Sequence, residues 1–264
     1  MIVAENVHRT LNGTKVLKGV SLEVEEGEMA ALIGGSGEGK TVFLKHLAGL
    51  MHPDDGRVLV NGKDLCCLGR RKLKKLREGF GFLFQGGALF QSMTVYENIA
   101  FPLREKTDLS ESDIRDRVTE ELRQVGLEGN EEKYPAEISG GMAKRVALAR
   151  ALAQDPELML FDEPTTGLDP TMGHAIRELI GSIHERFGLT GVLATHEIPH
   201  IFRIVDTVAM LEGGRIRFRG TPEDIMESED PAVRRFLENS MPPRKYRLAG
   251  DVGTHGSQRR ENQT

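Results

Sequence analysis

The octapeptide GGSGEGKT, Gly34 to Thr41, limits the fold more than any other stretch of the chain. It matches G-x-x-x-x-G-K-[ST] and stands between an apolar strand-like run, MAALI, and VFLKHLAGL, whose Phe43, Leu44 and Leu47 recur at helical spacing. Strand, glycine loop and helix arrive in the order a phosphate cradle needs. The glycines let the backbone curl so that successive N–H groups converge on an anion, and the helix N-terminus adds positive potential. Residues Gly34, Gly35, Ser36, Gly37, Glu38, Gly39, Lys40, Thr41 and Val42 are therefore candidates to hold ATP. Lys40 is placed to reach the β- and γ-phosphates and Thr41 to ligate Mg²⁺. A plain glycine-rich turn is the competing reading, and the flanking strand and helix argue against it.

Hydrolysis would need carboxylates beside that loop. ELMLFDEP, residues 157–164, reads as a buried strand ending in Asp162 and Glu163. Neighbours on a strand point to opposite faces, but the chain turns away at the strand's end. Asp162 is then expected to hold Mg²⁺ through water while Glu163 polarises an attacking water. His196 ends another apolar strand, GVLATH, within reach of a γ-phosphate. The same stretch, HEIPH, matches the H-E-x-x-H zinc string, which requires both histidines on one continuous helix. A strand leads into His196, and Pro199 is expected in the first turn of the following helix, so His196 is left outside it.

A second anion-binding helix start appears in EISGGMAKRVALARAL, at Ser139, Gly140 and Gly141. A site built from the loop, Lys40 and Glu163 is open on one side, and a chain does not easily fold its own distant subdomain over it. Two chains facing head to tail each close the other's nucleotide, with two ATP molecules in one symmetric interface. Composition sets limits on partners. In 264 residues, 28% are charged and the net charge is −5, so no basic excess suggests nucleic acid. The cysteines, Cys66 and Cys67, are adjacent, which fits neither a fold-stapling disulfide nor metal-site spacing. No apolar run nears the roughly 18 residues of a membrane helix, and MIVAENVHRT is no signal peptide, so the chain is expected to be soluble.

ISGGM, Ile138 to Met142, resembles the LSGGQ signature of ABC ATPases and lies between the phosphate loop and the LMLFDE strand, as in that family. The resemblance covers residues 2–240 and implies an α/β fold. It consists of a P-loop NTPase (RecA-like) core, an N-terminal antiparallel β subdomain and an inserted α-helical subdomain. It implies ATP and Mg²⁺ as cofactors, Gln85 as a Q-loop residue sensing Mg²⁺ and the attacking water, Asp169 as a D-loop residue facing the partner copy, and His196 as the switch histidine. More narrowly, FLFQGGALF, FPLREKT, ISGGMAKRVALARA and DPAVRRFLEN resemble the MlaF-like ATPases of Mla and MCE lipid-transport systems, with Met142 where most signatures have Gln. That implies a homodimer beneath an integral-membrane permease at the cytoplasmic face of the bacterial inner membrane. A periplasmic MCE-domain protein and a small STAS-domain protein are the further partners, and phospholipid is the cargo. Other cargo, such as an amino acid or peptide, is the alternative within the family. Soluble relatives acting on DNA or ribosomes usually carry a long coiled-coil insertion or two ATPase halves, and neither is visible in the sequence.

On this reading residues 1–240 form the ATPase domain, with the helical subdomain at about 86–157, and residues 241–264 form a flexible tail with Tyr246 and Leu248 as anchors. RRKLKKLRE, 70–78, is expected to be a solvated helix face. Residues 5–24 hold no Phe, Tyr or Trp to stack on adenine, so Leu11 falls near that place and the Arg9 guanidinium is the candidate substitute. Leu89, Phe90 and Met93 are the expected lining of a groove that receives a permease helix, against the alternative that they fill the subdomain core.

Overall fold

The computed structural model describes residues 1–198 and 200–241. The chain opens with strands β1 (Ile2–Leu11) and β2 (Thr14–Val24), then β3 (Met29–Ile33), helix α1 (Lys40–Leu47), β4 (Asp55–Val60), β5 (Lys63–Asp64), α2 (Arg70–Arg77) and β6 (Phe80–Leu83). Three helices follow: α3 (Val95–Lys106), α4 (Glu111–Gln124) and α5 (Gly140–Leu152). The last part comprises β7 (Leu158–Asp162), α6 (Pro170–Phe187), β8 (Thr190–Thr195), β9 (Thr207–Glu212), β10 (Arg215–Gly220), α7 (Pro222–Glu227) and α8 (Pro231–Ser240).

Two sheets divide these strands. The first, antiparallel, has the order β2-β1-β4-β5; Asn12 and Gly13 take positive φ at its β1–β2 hairpin, the conformation a two-residue turn needs. The second has the order β10-β9-β3-β8-β7-β6, parallel except for β10. Strands β3, β7 and β8 are buried along their whole length, which is why they read as unbroken apolar runs. Strand period then sorts their side chains into two cores. Met29, Ala31 and Ile33 of β3 pack on one face with α5 and α6, while Ala30 and Leu32 face the other with α1 and the antiparallel sheet. Since the five parallel strands share a direction, their C-terminal ends lie at one edge, where open α/β sheets bind ligands.

Helices α3, α4 and α5 share a third core, built on Val95, Ile99, Leu103, Ile114, Val118, Leu122 and Val146. Capping boxes fix where two of them begin: Thr94 with Glu97 on α3 and Ser110 with Asp113 on α4. In α2 only Leu73 is buried, so the cationic run 70–77 faces solvent. Among the described residues no helix is long and apolar enough to cross a membrane. Pro199 lies outside the described residues, and the turn after it, His200–Arg203, is a short 3-10 segment rather than a long helix. Tyr246 and Leu248 also lie outside the described residues.

The far edge of the sheet is tied by one histidine. His184, in the last turn of α6, has Nδ1 2.9 Å from the Leu189 carbonyl and Nε2 3.2 Å from Asp206 Oδ2, while Asp206 accepts the Met29 N–H at 2.8 Å. Both ring nitrogens must carry a proton to satisfy both acceptors, so the imidazolium is favoured. The hydrogen bond to Asp206 accordingly raises its pKa above the ordinary 6.5, outweighing burial. A raised histidine contributes stability that is fully present below the unfolded value and lost as pH rises through the folded one. The urea midpoint of the wild type should therefore fall more than that of His184→Gln between about pH 6 and about pH 8.5. Parallel pH profiles would remove the pair from the stability of this edge.

Candidate active site

Glycine is required where the loop leaves β3. Gly34 has φ 154°, and a Cβ there would stand 2.4 Å from the Leu211 carbonyl oxygen. Gly39, at φ 101°, caps α1 with its Cα against Val16, where a Cβ would come within 2.8 Å of Cγ1. The curled loop turns its own carbonyls onto Lys40, whose Nζ donates to Gly34 O at 2.9 Å and Gly35 O at 3.0 Å. Glu38 Oε2 accepts the Gly213 N–H at 2.6 Å and so moors the loop to the β9–β10 turn.

Strand β7 brings the carboxylates to the same place. Thr41 Oγ1 donates to Asp162 Oδ1 at 2.8 Å, and Lys40 Nζ lies 3.3 Å from Glu163 Oε1. Glu163 follows the last strand residue with φ 48°, a left-handed conformation that costs a non-glycine residue about 1–3 kcal/mol. That turn cancels the strand alternation and puts both side chains on the loop side. The Glu163 N–H still donates to Ala194 O of β8 at 2.9 Å. Its Oε2 accepts from Thr166 Oγ1 at 3.1 Å and pairs with His196 Nδ1 at 2.8 Å. Burial pushes the Glu163 carboxyl up, but the His196 hydrogen bond and the Lys40 charge together outweigh it and hold it below the ordinary carboxylate value. Asp162 goes the other way, because burial raises it more than the Thr41 hydrogen bond lowers it. The edge thus offers a low-pKa carboxylate paired to a histidine, an ammonium, and the hard oxygens of Thr41 and Asp162, a donor set that suits Mg²⁺.

The zinc reading of HEIPH is left without support. His196 follows β8 while His200 opens a short 3-10 segment, so the two do not share a continuous helix, and no described cluster of three or more His, Cys, Asp or Glu side chains could hold a metal. Ser139 caps α5, accepting the Met142 N–H at 3.2 Å, and Asp169 caps α6, accepting the Met172 N–H at 3.0 Å. These two helix starts meet each other: a Cβ on Gly141 would stand 2.2 Å from Met172 Cε. Among the described residues, no hydrogen bond or ion pair joins Ser139, Gly140, Gly141 or Asp169 to Lys40 or Glu163. Gln85 is exposed just beyond β6. Arg9 is committed elsewhere, to Asp54 Oδ1 at 2.7 Å and the His52 carbonyl at 3.1 Å. These contacts fix the edge of its guanidinium at the antiparallel sheet, and the side chains that pack against the loop at Gly39 are Val16 and Leu17.

Two residues that the sequence did not single out hold the Gln85 loop. Lys144, buried within α5, donates to the Gln85 carbonyl, and burial lowers its pKa despite Asp162 and Glu163. Arg150, two turns on, donates to Ala88 O and Gly87 O, each at 2.7 Å. The trace of this in the sequence is that three cations, Lys144, Arg145 and Arg150, interrupt an otherwise apolar helix.

The sequence profile described as "ABC transporter" matches residues 17–166. A probable ribonucleotide transport ATP-binding protein, mkl, of Mycobacterium leprae is 42% identical over 89% of this chain and 68% of its own length. An intermembrane phospholipid transport system ATP-binding protein, MlaF, of Haemophilus influenzae is 41% identical over 83% of both chains. Among solved structures, a dimeric ATP-binding cassette in a post-hydrolysis state with ADP and Pi superposes with a TM-score of 0.77 at 32% identity, over 84% of this chain and 99% of that one.

Replacing Lys144 with Met keeps the length of the stem and removes the donor. Amide exchange across residues 85–88 should rise about tenfold while that of α5 stays near wild type, and ATP turnover should fall. Unchanged exchange in the loop would show that Arg150 holds it alone.

Proposed function

Since the chain belongs to the ABC transporter family, we propose that two copies bind ATP head to tail and hydrolyse it to drive a separate membrane permease carrying phospholipid. The observation that carries this reading is the split site: Lys40, Thr41, Asp162, Glu163 and His196 converge at one strand edge, while Ser139, Gly140, Gly141 and Asp169 cluster apart from them at the α5 and α6 starts. The loop amides from Gly34 to Val42 bind the phosphates, and the incoming γ-phosphate draws Lys40 off the two glycine carbonyls. Thr41, Asp162 and Gln85 would hold Mg²⁺, whose charge would offset that of the β- and γ-phosphates. Glu163, kept ionised by His196 and Lys40, accepts the proton of the attacking water, and His196 fixes the orientation of that carboxylate. Ser139 and the Gly140 and Gly141 amides of the partner copy cover the γ-phosphate, and Asp169 lies along that interface.

Residues 1–240 act as one ATPase domain, with about 86–157 as the helical unit that presents Ser139. The name of one relative, an intermembrane phospholipid transport system ATP-binding protein, supports phospholipid as cargo; on that reading the chain sits at the cytoplasmic face of a bacterial inner membrane, with MCE-domain and STAS-domain proteins as further partners. The mkl name favours a second reading in which the cargo is a ribonucleotide. Purification of the complex from membranes, followed by reconstitution in vesicles with labelled phospholipid or labelled ribonucleotide, separates the two by which label moves on ATP addition.

Two variants test the machinery. Glu163→Gln should keep ATP binding, lower turnover by at least about a hundredfold, as loss of a general base does, and accumulate as a dimer in size-exclusion chromatography with ATP. Wild-type turnover would exclude Glu163 as the base. The permease contact rests on Phe90, which is 43% exposed and stacks edge-on to Phe101, 36% exposed, with centroids 5.0 Å apart. Buried Asn98 locks the segment that carries it, donating to Phe90 O and Met93 O at 3.1 Å each. Leu89 packs inward, against both the sheet core and the helical core, so the expected lining narrows to Phe90 with half-buried Met93. Phe90→Asp should fold, bind ATP and fail to co-purify with the permease; retained co-purification would move the contact elsewhere.

A further inference from the structure

At the other end of the parallel strands, away from the nucleotide edge, a cleft of about 450 Å³ opens between α4 and the junction of α6 with β8. Its apolar wall is Leu152, Ile183, Leu189 and the exposed ring of Phe187. Its polar lining includes four carboxylates, Glu26, Glu121, Asp155 and Glu157, against two cations, the Arg117 guanidinium and the Met1 ammonium, which donates to Asn61 Oδ1 at 3.1 Å. Arg117 is already engaged with Asp155 and donates to the Leu152 carbonyl at 3.3 Å. Glu121 is only 2% exposed, and its Oε2 is buried with no hydrogen-bond partner. Arg117 Nε stands 3.1 Å from the other oxygen, Oε1, yet is itself unpaired because the contact is poorly aligned.

A buried carboxylate oxygen without a donor is costly, and a partner that brings N–H groups relieves the cost. The acidic lining calls for positive charge, and the apolar wall for methylenes. We propose that this cleft is a binding site for an aliphatic polyamine, with one ammonium at the end lined by Glu121 and Asp155, a second at the Glu26–Glu157 rim and the methylene stem along Phe187 and Leu189. A compact inorganic cation would leave the apolar wall bare, and an anion would face four carboxylates. The site needs no nucleotide and shares no residue with the strand edge that holds Lys40. Burial pushes the Glu121 pKa up to about 7, with Arg117 opposing and Asp155 and Glu120 adding to the rise. Of the other charged groups around the cleft, Glu26 and Glu157 have the same sign as Asp155, and the Met1 ammonium at the rim has the opposite one. A bound ammonium favours the ionised form, so affinity should rise with pH through this range.

Isothermal titration of the full chain with spermidine, free of nucleotide and at fixed ionic strength, is the test. One spermidine per chain is expected, binding more weakly at about pH 6 than at about pH 8, with putrescine weaker still. Glu121→Gln should weaken binding at least about tenfold and flatten its pH dependence. Should that variant misfold, the exposed rim pair Glu26→Gln with Glu157→Gln keeps the question open to measurement and should weaken binding severalfold. Equal affinity in these variants, heat that vanishes when KCl matches the ionic strength, or several equivalent ions per chain would each overturn the assignment.

Discussion

A buried ammonium governs the architecture of the strand edge. Lys40 is 6% exposed, and a cation so far from water persists only where its donors are met and its charge is balanced. Gly34 and Gly35 supply the carbonyls and Glu163 supplies the charge, so one side chain joins the loop after β3 to the end of β7. Thr41 repeats that join one residue later through Asp162. Neither contact is possible unless β3, β7 and β8 are neighbours of the same direction, and their all-apolar sequences put them there. The fold thus delivers two carboxylates, a lysine and a histidine to one edge before any ligand arrives. The balance among those charges is what leaves Glu163 ionised.

Much of this was legible because it is written in contiguous residues. The loop, its flanking strand and helix, the Asp162–Glu163 pair and the strand leading to His196 each occupy fewer than about ten positions, within which spacing alone carries the geometry. What stayed hidden depends on residues far apart in the chain. Arg9 reads as a free guanidinium until Asp54 comes beside it across the antiparallel sheet. Lys144 and Arg150 read as ordinary helix cations until the Gln85 loop folds onto α5. Glu121 reads as one more charge on the polar side of α4 until the core closes over it. Leu89 and Phe90 are adjacent and equally apolar, so only the Asn98 lock decides which faces inward. The left-handed φ of Glu163 has no mark in the sequence at all, since glutamate is not a residue that favours it.

Helix α5 connects features that would otherwise be independent. Its first turn carries Ser139 and the small residues packed on Met172; its middle and end carry the two cations that grip residues 85–88. An α-helix of 13 residues is stiff over that length. A displacement of the Gln85 loop is therefore passed to the helix N-terminus with little loss. Within the proposed dimer, that N-terminus serves the partner's nucleotide while the Gln85 loop serves its own.

The same reasoning sets a direction for the coupling. Phe90 lies in the segment that starts at the Gln85 loop, and Asn98 ties that segment rigidly to α3. A permease helix pressing on Phe90 and Phe101 would load α3 and the loop together, and Lys144 and Arg150 would carry the load to α5. The donors on α5 are cations, and their acceptors are neutral carbonyls. Such charge-assisted bonds are about twice as strong as neutral ones, so the link is stiffer than the unpaired polar surface around it. Each side of the proposed dimer would then receive its cover from a helix positioned by the other side's permease contact, so that closure at one site would depend on the load at both.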